Sequence, residues 1–202
     1  MPLLGQRTGI GHVTAELIGA LAPDRGLDLV VYIVSRNGRQ LLGGSVPDGV
    51  RVGTSRLPAR LVRPAWERLS FPRVERWTGP VDVVHATNYV APPARAPVVV
   101  TVHDLTFVRH PELASADTQR FFEPLLLRAI EREAIIHVVS DHVGREVQDA
   151  FGLGPERVVR VYPGITGTSG GDPARGQRVA RAGSEPLPRR VDRVSGRHHW
   201  CR

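Results

Sequence analysis

Lysine is absent from this chain of 202 residues, and cysteine and methionine occur once each. Cys201 stands next to the C-terminus, which excludes a disulfide framework and a cluster of metal-binding thiolates and fits a cytosolic setting. All 27 basic residues are arginine, a mark of GC-rich coding rather than of chemistry. No uninterrupted apolar run approaches the ~18 residues of a spanning helix, and the N-terminus shows no basic stretch ahead of an apolar core. A cytoplasmic chain is expected, with peripheral contact at the inner membrane face left open. Gly-x-Ser-x-Gly, Walker and Ser/His/Asp patterns are also missing.

What is present has a globular average, 41% hydrophobic and 23% charged. The net charge of +7 is unevenly placed. Residues 166–202 hold eight arginines against Asp172, Glu185 and Asp192, a local +5, whereas the first 165 residues hold nineteen against seventeen acids. A pI near 11 points toward nucleic acid or an anionic surface, yet that signal rests almost wholly on the tail. The tail has no apolar period and is rich in Gly, Pro and Arg, so it cannot build a core and is expected to be disordered. The ordered domain is placed at residues 1–165.

Along that domain, "RTGIGHVTAE" puts Gly9, Ile10 and Gly11 in a glycine loop at a helix start, with Val13, Leu17, Ile18 and Leu21 on one face. "LDLVVYIVS" (27–35), a segment near Val50, "VDVVHAT", "VVVTVHD", "IIHVVS" and "RVVRVYPG" read as strands. Residues 61–77 read as helical in pieces around Pro64 and Pro72, 116–134 as a helix that Pro124 kinks, and "DHVGREVQDAF" as a helix closed by Gly152. Strands alternating with helices predict an α/β fold with a doubly wound parallel sheet. Ligands in such sheets lie beyond the carboxyl ends of the strands, which gathers Gly9–Gly11, Thr87-Asn88, His103-Asp104 and Ser140-Asp141 at one crevice.

The segments "RTGIG", "DVVHATNYVAPP", "VVVTVHDLTFVRHPE" and "AIIHVVSDHVGREVQDAFGLGPERVVRVYPGI", in this order and spacing, resemble the N-terminal Rossmann-like domain of a family 4 glycosyltransferase with the GT-B fold. The resemblance covers residues 2–165. It implies a retaining transferase that moves a hexosyl group, for example mannosyl, from a nucleotide-diphosphate sugar to a glycan or lipid-linked acceptor. The acceptor lies on this domain, and a C-terminal domain without counterpart here holds the nucleotide sugar. The donor enters as substrate, and no metal or other cofactor is implied. Two departures stand out. The resemblance implies a first strand of roughly six to eight residues before the glycine segment, and "MPLLGQ" is too short and too early to supply it. The text after Gly183 reads like a changed frame. The expectation is therefore a chain cut at both ends and inactive alone.

His103 is the leading catalytic candidate, able to donate to a sugar hydroxyl or phosphate; the alternative is a core histidine bonded to backbone. Gly9, Ile10 and Gly11 can bring backbone amides to an anion or can form a plain turn. Asp104 can border the cleft or cap a turn, and Ser140 can face the cleft or cap its helix. Asn88, Arg109 and His110 complete the cleft set, each with an ordinary turn, surface or packing role beside it. His85, His103 and His110 lack the spacing of a metal site, and none is expected. A rival of another class is a non-catalytic nucleic-acid-binding protein with an arginine-rich C-terminal arm. No specific nucleic acid is expected under the transferase reading. A dinucleotide binder is disfavoured because the loop lacks the third glycine.

Overall fold

The computed structural model describes residues 9–35, 40, 42, 46–55, 57–114 and 116–164, the side chains at 59, 60, 63 and 116–121 excepted. Backbone contacts separate Met1–Gly164 from Ile165–Arg202, and every described residue belongs to the first unit. The arginine-rich tail, and Arg7 and Thr8 of the glycine segment, lie outside the described residues.

Among the described residues the strands are all parallel and form two hydrogen-bonded sheets. β1 (Val30–Ile33) pairs with β2 (Arg51–Thr54), Val30 standing opposite Arg51. β3 (Val84–Ala86), β4 (Val98–Val102), β5 (Ile135–Val138) and β6 (Val158–Arg160) follow one another in spatial order. α1 (Gly9–Leu21) precedes β1, while α2 (Ala59–Arg68) and α3 (Glu75–Thr78) lie between β2 and β3. A short α4 (Thr106–Arg109) and the long α5 (Ala116–Glu131) link β4 to β5, and α6 (Asp141–Phe151) links β5 to β6. The fold is α/β with parallel sheets.

Period-2 alternation sorts the four-stranded sheet into unlike faces. Val100, Val102, Ile136, Val138 and Ala86 share one face, buried under Leu126 and Ala129 of α5 and Val143 and Val147 of α6. His85, Thr101 and His137 stand at the alternate positions on the other face. The smaller sheet has a smaller core in which Ile18 of α1 meets Ile33 and Leu42. On its opposite side Val34 packs with Val62 and Trp66 of α2 and Leu125 of α5.

Two helix termini hold α5 and α6 in place. Gly152 closes α6 with φ 64°, a left-handed conformation that costs a side chain dearly and glycine little. At the end of α5 a glutamate takes that role, Glu133 with φ 62°. There the Arg157 guanidinium donates to Ile130 O at 3.0 Å and Ala134 O at 2.8 Å, satisfying acceptors at the helix end.

Several expectations need correction. Gly9, Ile10 and Gly11 do not form a loop ahead of a helix; they are the first turn of α1 itself. The Thr14 hydroxyl donates to Ile10 O at 2.8 Å and ties that turn down. The buried stripe of α1 is Gly11, Thr14 and Ile18, whereas Val13 is 39% exposed. Thr14 is tolerated inside because its hydroxyl has a partner, which apolar periodicity does not register. The 27–35 strand is shorter than expected, Val30–Ile33.

Candidate functional site

The carboxyl ends of β3 and β4 lead into Thr87-Asn88 and His103-Asp104. His103 is half-buried, and its Nε2 lies 3.0 Å from Thr87 O. A carbonyl only accepts, so Nε2 carries the proton and the neutral ring presents Nδ1 as a lone pair. The anchoring bond to backbone is the one a structural histidine makes. It also fixes the chemistry open to the ring: neutral, it accepts a hydrogen bond from a hydroxyl, and only as imidazolium does it donate through Nδ1.

Tyr89 joins the two strand ends. Its hydroxyl donates to Asp104 O and accepts from Asp104 N, both at 3.1 Å. Its ring meets His103 edge-on at 6.4 Å and stacks on Phe122 at 5.2 Å. Burial, with the Asp104 carboxylate beside it, pushes the phenol far above its ordinary range, so it stays protonated. Asp104 Oδ1 accepts the Thr106 amide at 2.9 Å and starts α4. Asn88 has its side-chain oxygen buried without a hydrogen-bond partner among the described residues. A buried polar atom left so costs about 1–3 kcal/mol, which an incoming donor would remove.

Ser140 follows β5, and its Oγ accepts the Val143 amide at 3.2 Å, the N-cap of α6. Arg109 Nε is 3.8 Å from Glu146 Oε1 on α6, and His142 Nε2 is 3.7 Å from Glu146 Oε2. His110 is exposed, 3.4 Å from Glu112. The structure thus joins Asn88, His103 and Asp104 through Thr87 and Tyr89, and connects the helix that Ser140 caps to Arg109 through Glu146. Gly9, Ile10 and Gly11 belong to the helix packed on the smaller sheet.

Tyr89 and Glu146 were not among the sequence candidates. Tyr89 carried one signal, a large aromatic in the loop just beyond a strand end. Glu146 carried another, its spacing of four residues from His142 on one helix face.

Behind the crevice, on the other face of the sheet, runs a chain of hydrogen bonds. His85 Nε2 and His137 Nδ1 each lie 2.8 Å from Thr101 Oγ1, and His137 Nε2 is 3.1 Å from Val161 O. The Val161 carbonyl fixes the sense: His137 donates to it, Thr101 donates to His137, and His85 donates to Thr101. Burial, with His137 and then His103 nearby, holds His85 below the usual histidine range, although part of its surface is open to solvent.

Among the described residues no group of three His, Cys, Asp or Glu is gathered as a metal site, and no helix is long and apolar enough to cross a membrane. Cavities of about 480 and 320 Å³ lie by Arg51, Gly53 and Trp77 and by Pro97, Arg132 and Ala134, and neither is lined by a crevice residue.

A search of the curated proteins finds no match to this sequence. The family model described as Glycosyltransferase Family 4 matches residues 7–166, most of the chain, and includes the ends of β3, β4 and β5 that carry the crevice residues. The chain belongs to glycosyltransferase family 4.

Proposed function

We propose that this chain is the acceptor-binding half of a retaining glycosyltransferase, which moves a hexosyl group from a nucleotide-diphosphate sugar to a glycan or lipid-linked acceptor. The observation that carries the reading is the family match, which spans the whole crevice. In this reading an acceptor hydroxyl donates to Nδ1 of neutral His103, and a second hydroxyl meets the unpartnered Asn88 oxygen. His103 accepts and orients; it need not be a strong base.

The donor diphosphate calls for cations at the leaving group. Among the described residues, Arg109 lies beside Glu146 and Arg160 bonds Asp141 and Tyr162. In this reading the family resemblance assigns the donor to a separate C-terminal domain, and the chain alone is expected to transfer no sugar. No metal has a place in the scheme.

Calorimetry with simple hexosides and with nucleotide sugars tests the proposal, alongside a transfer assay on the purified chain. Hexoside binding that Asn88→Ala weakens about tenfold, without turnover, is expected. Sugar transfer by the chain alone, or binding of the nucleotide sugar in place of the hexoside, would overturn it.

A further inference from the structure

The outward face of α2 and the turn beyond it combine exposed apolar side chains with a cluster of arginines. Val62 and Trp66 of this helix are buried at 1% and 2%, whereas Leu61, just before them, is 59% exposed. Arg68 follows Leu61 by two turns and shares its outward face. Directly beyond the helix, Leu69 and Phe71 are 59% and 61% exposed.

Arginines from α5 and from the turn that follows it crowd the same spot. Arg128 Nε donates to Glu67 O at 2.9 Å and Nη2 to Arg68 O at 3.5 Å. Arg132 Nη2 reaches Leu69 O at 3.4 Å and Ser70 Oγ at 3.2 Å. The guanidinium groups answer the unsatisfied carbonyls at the helix terminus. Among the described residues the acid bonded to them is Glu131, 3.0 Å from Arg128. Partial burial and then the charge of Arg128 weigh against the charged form of Arg132, with Glu131 opposing them.

We propose that the outward face of α2 and the turn that follows it dock on an anionic lipid surface, with Leu61, Leu69 and Phe71 entering the acyl boundary and Arg68, Arg128 and Arg132 lying against the headgroups. Positive charge alone would suit a nucleic acid equally. Large aliphatic side chains beside it favour hydrocarbon, since Leu61 and Leu69 have nothing to stack on a base. The docking is peripheral, and it stands whether or not the transferase reading holds.

Sedimentation of the full chain with phosphatidylcholine vesicles, with and without phosphatidylglycerol, tests this. Binding should require the anionic lipid and weaken with salt. The variant Leu69→Ser/Phe71→Ser leaves the charge unchanged and should lose about tenfold or more in binding, with an unaltered circular dichroism spectrum. Because the tail is also basic, a second variant replaces Arg189, Arg190 and Arg193 by Ser. Unchanged binding in the first variant, or complete loss in the second alone, would overturn the proposal. So would a single-stranded oligonucleotide that binds the parent chain and not the Leu69/Phe71 variant.

Discussion

The two sheets of this molecule are held very differently. β4 and β5 lie inside a four-stranded sheet whose core residues Val100, Val102, Ile136 and Val138 are all 0% exposed. β1 and β2 form a pair, and the cluster joining them to α1 has three buried residues, Ile18, Ile33 and Leu42. Dispersion and burial act in proportion to the contacts available, so the four-stranded part is the rigid body and the pair is its weaker attachment. The crevice residues follow the same division. Asn88, His103, Asp104 and Ser140 stand on the ends of the rigid sheet, where a site can be held to fine tolerance. Gly9–Gly11 stand on the weaker one.

Substitutions in the two cores should separate them. Leu126→Ala removes a fully buried side chain from under the larger sheet and is expected to cost about 3–5 kcal/mol by urea unfolding. Ile18→Ala, in the small cluster, should cost about 2 kcal/mol and show first as faster amide exchange in β1 and β2. Equal losses would erase the distinction between the sheets.

Gly53 offers a test confined to the smaller sheet. A Cβ there would stand 2.8 Å from Trp77 O, a backbone atom that cannot turn aside. Gly53→Ala should therefore cost about 1–3 kcal/mol and loosen α3 from β2. Unchanged stability would mean that the pair already yields at this point.

The smallest effect expected is a pH dependence belonging to the larger sheet. His85 has its folded pKa lowered, so the unfolded chain binds the proton more tightly. Stability from this group is complete above the unfolded value of about 6.5 and falls as pH drops through it toward the folded value. Both rings charged would leave the Thr101 hydroxyl between two donors and without an acceptor, which adds to the loss. His85→Gln keeps a donor near Thr101 and does not titrate. Urea midpoints measured between about pH 7 and pH 5 should fall less in this variant than in the parent.

Much of the rigid part was legible in the chain. "VVVTV" and "IIHV" are β-branched runs that only a covered strand explains, and Ser140 with Gly152 bracket α6 by local chemistry alone. The weaker part misled. Two glycines look like a loop to any local reading, yet the first turn of a helix accepts them, and a bonded threonine replaced the expected valine inside. The links that assemble the crevice span long distances along the chain. Tyr89 reaches Asp104 across 15 residues and Arg109 reaches Glu146 across 37, and no periodic pattern encodes such meetings.

The most direct measurement of the central claim is the ¹⁵N resonance pair of the His103 imidazole, recorded at neutral pH before and after adding a hexoside. The account predicts an Nε2-protonated ring held by Thr87, with the hexoside moving chiefly the Nδ1 signal. A ring protonated at Nδ1, or an Nδ1 resonance indifferent to every hexoside while the chain demonstrably binds one, would contradict it.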